Sequence, residues 1–273
     1  VPKLESGGDI IDIDPFTIFG LFNKGITNSN RIAIIRSIAN VFGIEAKVPN
    51  NFDGIPVLNN LKATFYAFKE DRKADDIDNI WNVFEAALRL ADNDTEQNRK
   101  EFSKWYDLVH DQRCIRWNIT MGLYWIRPYT YINLDSRNRW YISNVENMPA
   151  EFVDSIKKKI NKVPNATDYL FIKDACIKAL EVGSYEYKNY PELSYSAWIV
   201  SEQVNRQKAA ANGKKLSNAA FLRWFKPLIQ ALRDLGGSGT PAESRAKIVE
   251  NEQLSDEEVN AIRGKNNVNK FEN

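Results

Sequence analysis

The sequence predicts a mainly α, α+β protein: a helical amino-terminal domain with a small β-hairpin, then a smaller unit of three short helices. Three observations predict this. Apolar residues recur at helical spacing through most of the chain, and residues that favour helix starts stand before those runs. Residues 117–142 change character, with Thr, Tyr, Trp and Ile dominant and Pro128 interrupting. Residues 209–216 have little to bury and contain a helix-stopping Gly, as a linker would. The chain has 273 residues, enough for two separate cores. Its fourteen Phe, eleven Tyr and seven Trp can bury enough area to offset the entropy of ordering the chain.

Residues 1–8 read as a ragged terminus, and the absence of an initiator Met suggests a piece of a longer protein. Asp14-Pro15 opens the apolar run 16–22. Asn28, Ser29 and Asn30 can cap a helix over 31–42, with Ile32, Ile35, Ile38 and Val41 or Phe42 on one face and Gly43 ending it. Residues 49–61, with Asp53-Gly54, Pro56 and Asn59-Asn60, read as an ordered loop. Asp75, Asp76 and Asp78 place negative charge in the first turn of the next helix, which carries Ile80, Trp81, Val83, Phe84, Ala87 and Leu88. A helix over 95–112 should bury Phe102, Trp105 or Tyr106, and Val109. In the segment 117–142, Asp135-Ser136-Arg137-Asn138 reads as the turn of the hairpin. Pro149 introduces a helix over 151–160, and 166–180 and 195–208 read as further helices.

Beyond the linker, the helix 218–235 is closed by Gly236-Gly237. The helix 241–251 is entered through Thr240 as cap and Pro241 at the first position. Residues 255–263 have Ser255 and Glu258 spaced as a capping box. Three short helices with tight turns are the skeleton of a helix-turn-helix module. The expected domains are therefore 1–208 and 217–273, with 209–216 between them.

A net charge of +1 means that any contact with nucleic acid must come from local clustering. From Asn205 to Arg233 the chain carries Arg206, Lys208, Lys214, Lys215, Arg223, Lys226 and Arg233 and no Asp or Glu. Two cysteines without a CxxC pair and a single histidine, His110, make no zinc site of usual composition, so neither metal nor cofactor is expected. Few cysteines, no hydrophobic leader and no apolar run of about 20 residues point to the cytoplasm. No glycine-rich loop ends in Lys followed by Ser or Thr, as phosphate binding would need. His110, beside Asp107 and Asp111, reads as part of a solvated helix face. Glu45-Ala46-Lys47 and Glu186-Tyr187-Lys188 have the spacing of a metal-dependent nuclease but lack a clear upstream Asp, and read as surface charge. The chain is expected to be non-catalytic.

Two regions are suited to nucleic acid. Trp117, Tyr124, Trp125, Tyr129, Tyr131, Trp140 and Tyr141 are interleaved with Arg116, Arg127, Arg137 and Arg139. In that mixture rings can stack on bases, including a flipped modified base, while guanidinium groups hold phosphate. The competing reading packs the aromatics inward and leaves the arginines in water. The candidates here are Arg127, Arg137, Arg139, Trp125, Trp140 and Tyr141. Lys214, Lys215, Arg223 and Lys226 are candidates for phosphate contact; the alternative is an ordinary amphipathic helix whose core face is Phe221, Leu222, Phe225, Leu228, Ile229 and Leu232. Lys157-Lys158-Lys159 with Lys162 reads as solvated helix surface.

The stretches DIDPFTIFGLFNKGIT, NFDGIPVLNN, WNITMGLYWIRP and INLDSRNRWYI together resemble the amino-terminal region of McrB-like restriction proteins, bacterial AAA+ NTPases that cut modified DNA with a nuclease partner. This resemblance covers about residues 9–200. FLRWFKPLIQALRDLGGSGTPAE and LSDEEVNAIRGKNNVNKFEN, over about 217–273, resemble the amino-terminal winged-helix domain of the Mrr restriction family. By the second resemblance that domain is truncated, its recognition helix expected to begin near Asn273. The resemblances imply double-stranded DNA, modified cytosine included, as ligand. They also imply a nuclease subunit as partner, assembly through an NTPase domain elsewhere, and a role in anti-phage defence. The leading expectation is a DNA-recognition module. A protein-docking module that couples the NTPase to its nuclease is the competitor, and a nuclease remnant built on Glu45 and Lys47 or Glu186 and Lys188 comes third.

Overall fold

The computed structural model describes residues 12–183, 185, 187–211, 222–254, 262–263 and 268–269; of residues 62, 209–211, 222–226, 262–263 and 268–269 it describes the backbone alone. The described residues form eleven α-helices and one two-stranded antiparallel pair. The chain divides into two compact units, Val1–Glu202 and Gln203–Asn273.

In the first unit, Asp14 caps α1 (Pro15–Gly20) by accepting from the Thr17 N–H at 2.9 Å. Pro15 occupies the first turn, where its missing N–H leaves no bond unmade. The next helix, α2 (Asn28–Val41), is capped by Thr27 rather than by the asparagines that follow, because Thr27 is extended and its side chain accepts from the Asn30 N–H. Gly43, at φ +63°, lies just past its end in the left-handed region. Of the loop expected over 49–61, residues 49–59 are irregular, with Leu58 buried and paired to Lys24 in an isolated parallel bridge, and Asn60–Lys62 form a short 3-10 turn.

Asp76 and Asp78 lie in the acidic first turn of α3 (Asp76–Asp92), which packs extensively on α4 (Glu96–His110). Phe102 and Val109 of α4 are fully buried as expected, and of the two alternatives Trp105 and Tyr106 it is Tyr106 that is fully buried, with Trp105 only partly so. Phe102 and Tyr106 join Tyr131 and Tyr169 in an aromatic box: Phe102 stacks on Tyr131 at 5.8 Å, and Tyr106 on Tyr169 at 5.4 Å. Two hydroxyls from the box tie down carbonyls, Tyr131 donating to Ala87 (2.6 Å) and Tyr169 to Ile132 (3.0 Å).

The β-hairpin expected over 117–142 is not formed. The segment instead folds as α5 (Asn118–Ile126) and α6 (Ser136–Ile142), joined by a loop. The physical reason is burial. Ile119, Thr120, Met121, Gly122, Leu123, Tyr124 and Ile126 are all inside, so α5 is a helix covered almost all round, and tertiary packing overrides β-propensity. Gly122 faces Phe16 so closely that a Cβ there would stand 2.6 Å from its ring. Asp135, read as a turn residue, is the N-cap of α6 and accepts from the Asn138 N–H.

The unit is completed by α7 (Ala150–Ile156), shorter than expected, then α8 (Ala166–Val182) and the first part of α9 (Tyr190–Ala211), which runs past Glu202 into the second unit. Both α4 and α7 pack on α8. Helix α9 continues through Ala209–Ala211, residues the sequence assigns to linker; the rest of that stretch lies outside the described residues.

In the second unit, α10 (Leu222–Asp234) packs on α11 (Pro241–Glu252). Gly236 and Gly237, both left-handed, end α10, and the Gly237 N–H returns to the Leu232 carbonyl at 2.8 Å. Thr240 and Glu243 close a reciprocal capping box on α11. A helix was expected through Arg263, yet β1 (Ile262–Arg263) pairs antiparallel with β2 (Val268–Asn269). The residues between the strands in sequence are Gly-Lys-Asn-Asn, a composition that suits a turn better than a helix end. The remainder of that expected helix, 255–261, lies outside the described residues.

Candidate functional site

The structure separates the aromatic and arginine residues that the sequence groups together. Tyr131 belongs to the aromatic box, and Tyr124 is buried. Tyr141 is also buried, its hydroxyl 3.1 Å from that of Tyr187, so it offers no surface for stacking. Trp125 is half-buried and its indole N–H donates to the Pro56 carbonyl at 3.0 Å, which makes it a clamp on the 49–59 loop. Two of the candidate arginines are already paired: Arg127 with Asp92 at 3.3 Å and Arg137 with Glu202 at 2.8 Å. Lys214 and Lys215 lie outside the described residues. Arg223 and Lys226 lie on α10, where the backbone alone is described.

Of the site candidates Arg139 and Trp140 remain, and they line one groove; Tyr129 and Arg116 are also exposed but do not line it. It is an open depression of about 750 Å³ between α6, the turn that follows it, and α7. Arg139 and Trp140 form one wall with Ser136; Val153, Asp154 and Lys157 form the other. The indole of Trp140 is 40% exposed. Arg139 lies over the Trp117 ring, its guanidinium carbon 3.6 Å from the ring centre. Its Nε donates to the Asp135 carbonyl at 3.4 Å, and among the described residues no carboxylate side chain forms an ion pair with it. Burial lowers the Arg139 pKa, partly opposed by Asp135, so an added anion would be favourable here. Lys157 is exposed on the opposite wall. The lining thus carries two cations and one carboxylate beside an accessible indole.

The helix that presents this wall is seven residues long and would not persist alone. It is held from its N-terminal end. The Asn138 amide donates to Asp135 (3.1 Å) and to the Ser194 hydroxyl (3.2 Å), and that hydroxyl donates to the Gly54 carbonyl (2.7 Å). Leu134 is buried and its N–H donates to Thr120 at 3.1 Å. The run Leu134-Asp135-Ser136-Arg137-Asn138-Arg139 is therefore a cap, a relay to α9 and the 49–59 loop, and one groove-facing arginine. Trp117, on which that arginine rests, follows a turn in which Cys114 and Arg116 are left-handed, at φ +79° and +42°. Few residues other than Gly adopt that region.

The remaining candidate chemistry is dispersed. His110 is not on a solvated face: its ring is half-buried, with Nε2 3.1 Å from the Val163 carbonyl and Nδ1 2.8 Å from Asp111. Glu45 and Lys47 are exposed. Glu186 lies outside the described residues, and the Lys188 ammonium donates to the Gly183 carbonyl at 3.0 Å. Among the described residues no group of His, Cys, Asp or Glu is arranged to hold a metal ion, and no helix is long and apolar enough to cross a membrane.

Residues 3–200 match a family model described as a domain of unknown function, DUF8425. The match takes in most of the 273 residues, and the chain belongs to that family. No curated protein and no solved structure matches it.

Proposed function

We propose that this member of the family is the DNA-recognition portion of a bacterial modification-dependent restriction system, without catalysis of its own, and that its interface is the groove between α6 and α7. The observation that carries the reading is the Arg139 guanidinium, set over the Trp117 ring with no carboxylate partner among the described residues, beside the exposed indole of Trp140. The resemblance of residues 9–200 to McrB-like amino-terminal regions supports it from the sequence. Arg139 and Lys157 hold phosphate from the two walls, and Trp140 stacks on a base. The nuclease and the NTPase motor belong to other parts of the system.

With about two phosphates neutralised, a fourfold rise in salt lowers affinity on the order of tenfold. The test is a fluorescence-anisotropy titration of the chain against matched unmodified and cytosine-modified duplexes at two salt concentrations. Salt-sensitive binding that prefers the modified duplex is expected. Trp140→Ala and Arg139→Ala should each weaken it by roughly fivefold or more, while Arg137→Ala, whose partner is Glu202, leaves it unchanged. Parental affinity in both groove variants would refute the assignment. Absence of any DNA binding would favour the protein-docking function.

A further inference from the structure

We infer that the cleft between α1, α2 and α3 binds an anionic amphiphile, its hydrocarbon body among the helices and its carboxylate head at Lys47. The cleft holds about 410 Å³, within the roughly 300–1,000 Å³ of small-molecule sites. A packed core leaves few gaps larger than a water molecule. Phe19, Phe22, Ile38, Phe42 and Phe84 are among its walls, and every lining residue except Lys47 is apolar or aromatic. Trp81 also lines it, but its indole N–H is already donated to the Ile13 carbonyl at 3.1 Å. Among the described residues Lys47 is therefore the one charged residue in the lining; it is exposed and forms no ion pair there, so its flexible side chain is free to meet a polar head at the cleft.

Two features of α2 fit an admitted ligand. Only Arg31 and Ala39 of this helix are buried, so it can shift without dismantling the aromatic box. Just beyond it, Phe42 and Ile44 are 69% and 54% exposed, apolar surface that a bound hydrocarbon would cover. The occupant is also constrained by what the walls lack. An extended peptide would bring backbone N–H and C=O groups into a lining with one polar side chain, where they would go unpaired. A hydrocarbon chain needs no such partners, and an acid at its end meets the one available cation.

The probe is a series of saturated carboxylates from hexanoate to dodecanoate, below their aggregation concentrations, titrated calorimetrically into the chain. Affinity should rise about fourfold per added methylene until the cleft is filled, then level off. Lys47→Ala should lower carboxylate affinity about two- to fivefold, as for a solvent-exposed ion pair, and leave the methyl esters unaffected. Ala39→Phe, which fills the cleft, should abolish binding of acid and ester alike. Should that variant not fold, the exposed Lys47 substitution still decides the question. Binding without dependence on chain length, or loss of acid and ester affinity together in Lys47→Ala, would overturn the inference. Self-association seen by sedimentation and removed by Phe42→Ser, with no binding of the carboxylates, would overturn it in favour of a second copy as occupant. DNA affinity plays no part in these readouts, so this site and the α6–α7 groove stand or fall separately.

Discussion

At Asp14, burial and hydrogen bonding act in opposite directions, and the balance gives a measurable pH dependence. The carboxyl caps α1, accepting from the Thr17 N–H at 2.9 Å and from the Thr17 hydroxyl, and both contacts favour the ionised form. Burial opposes them and is larger, raising the pKa from 3.8 to about 6. Between these values the folded protein retains a proton that the unfolded chain has released. The contribution of this group to stability is thus greatest below the unfolded value, declines as pH rises through the window, and is level above the folded value. The window is about two pH units wide, at about 1.4 kcal/mol each, so the full effect is ~3 kcal/mol. Asp14→Asn keeps an acceptor for Thr17 but cannot ionise. Urea denaturation of both proteins at intervals from about pH 4 to pH 7 should show the Asn variant gaining relative to the parent by ~3 kcal/mol. Taking the difference cancels carboxylates of the opposite kind, such as Asp174, where hydrogen bonds from Arg99 and Lys173 outweigh burial and lower the pKa. A flat difference, or one that favours the parent as pH rises, would refute the reasoning.

Four further outcomes follow from single contacts. The Tyr106 hydroxyl is buried with no hydrogen-bond partner among the described residues, so Tyr106→Phe should raise the unfolding free energy, by about 1 kcal/mol or more; a loss measured by denaturation would contradict this. Gly54 is left-handed at φ +78°, and a Cβ there would lie 2.7 Å from the Tyr195 Cα, so Gly54→Ala should cost about 2 kcal/mol or more in the same assay. The Arg137–Glu202 pair is about one-third exposed on both sides, and Arg137→Ala should therefore change stability by less than ~1 kcal/mol. Ser194→Ala leaves the Gly54 carbonyl and one Asn138 N–H without their partner, costing about 1–3 kcal/mol; it should also weaken DNA binding while leaving every groove residue in place.

The helices were legible where periodicity and capping agreed. Phe102 and Val109 announce the buried face of α4, though not the choice between Trp105 and Tyr106, and Thr240 with Pro241 announces the start of α11, because each signal is local and independent of what packs outside it. The segment 117–142 was not legible, for a reason that applies to both its halves. A helix covered almost all round has no polar face, so α5 shows no 3.6-residue alternation, and its Thr, Tyr and Trp then resemble a strand. Asp135 likewise serves a turn or an N-cap equally well from sequence, since both use its side chain to accept a nearby backbone N–H. The candidate site was half legible. Composition flagged Arg139 and Trp140 together with Tyr141, Arg127 and Arg137, and only burial and ion pairing distinguish the first two. The apolar cleft carried a partial signal in the Ile35, Ile38 and Phe42 spacing of α2, but spacing cannot reveal that the facing helices leave a gap.

Aromatic residues are so numerous in this chain that their presence alone says little, and what distinguishes them is whether the fold has already used them. Tyr131, Tyr169 and Tyr106 are stacked inside, Trp125 and Tyr141 are bound to neighbours, and Trp117 lies beneath a guanidinium. Trp140 differs from these in being 40% exposed at the edge of the groove, on a helix too short to be stable alone; Tyr129, Phe68, Phe171 and Tyr195 are more exposed but do not line that groove. A helix of that length gains little from its own backbone bonds, yet Asp135, Asn138, Ser194 and Gly54 are joined to fix its start. Such a relay holds both Trp140 and Arg139 in place, which is what a recognition surface requires of its supporting residues. It also explains why Ser194, outside the groove, is the sharper test of function: if α6 serves only to cover the core, its loss should lower stability and leave affinity for DNA unchanged.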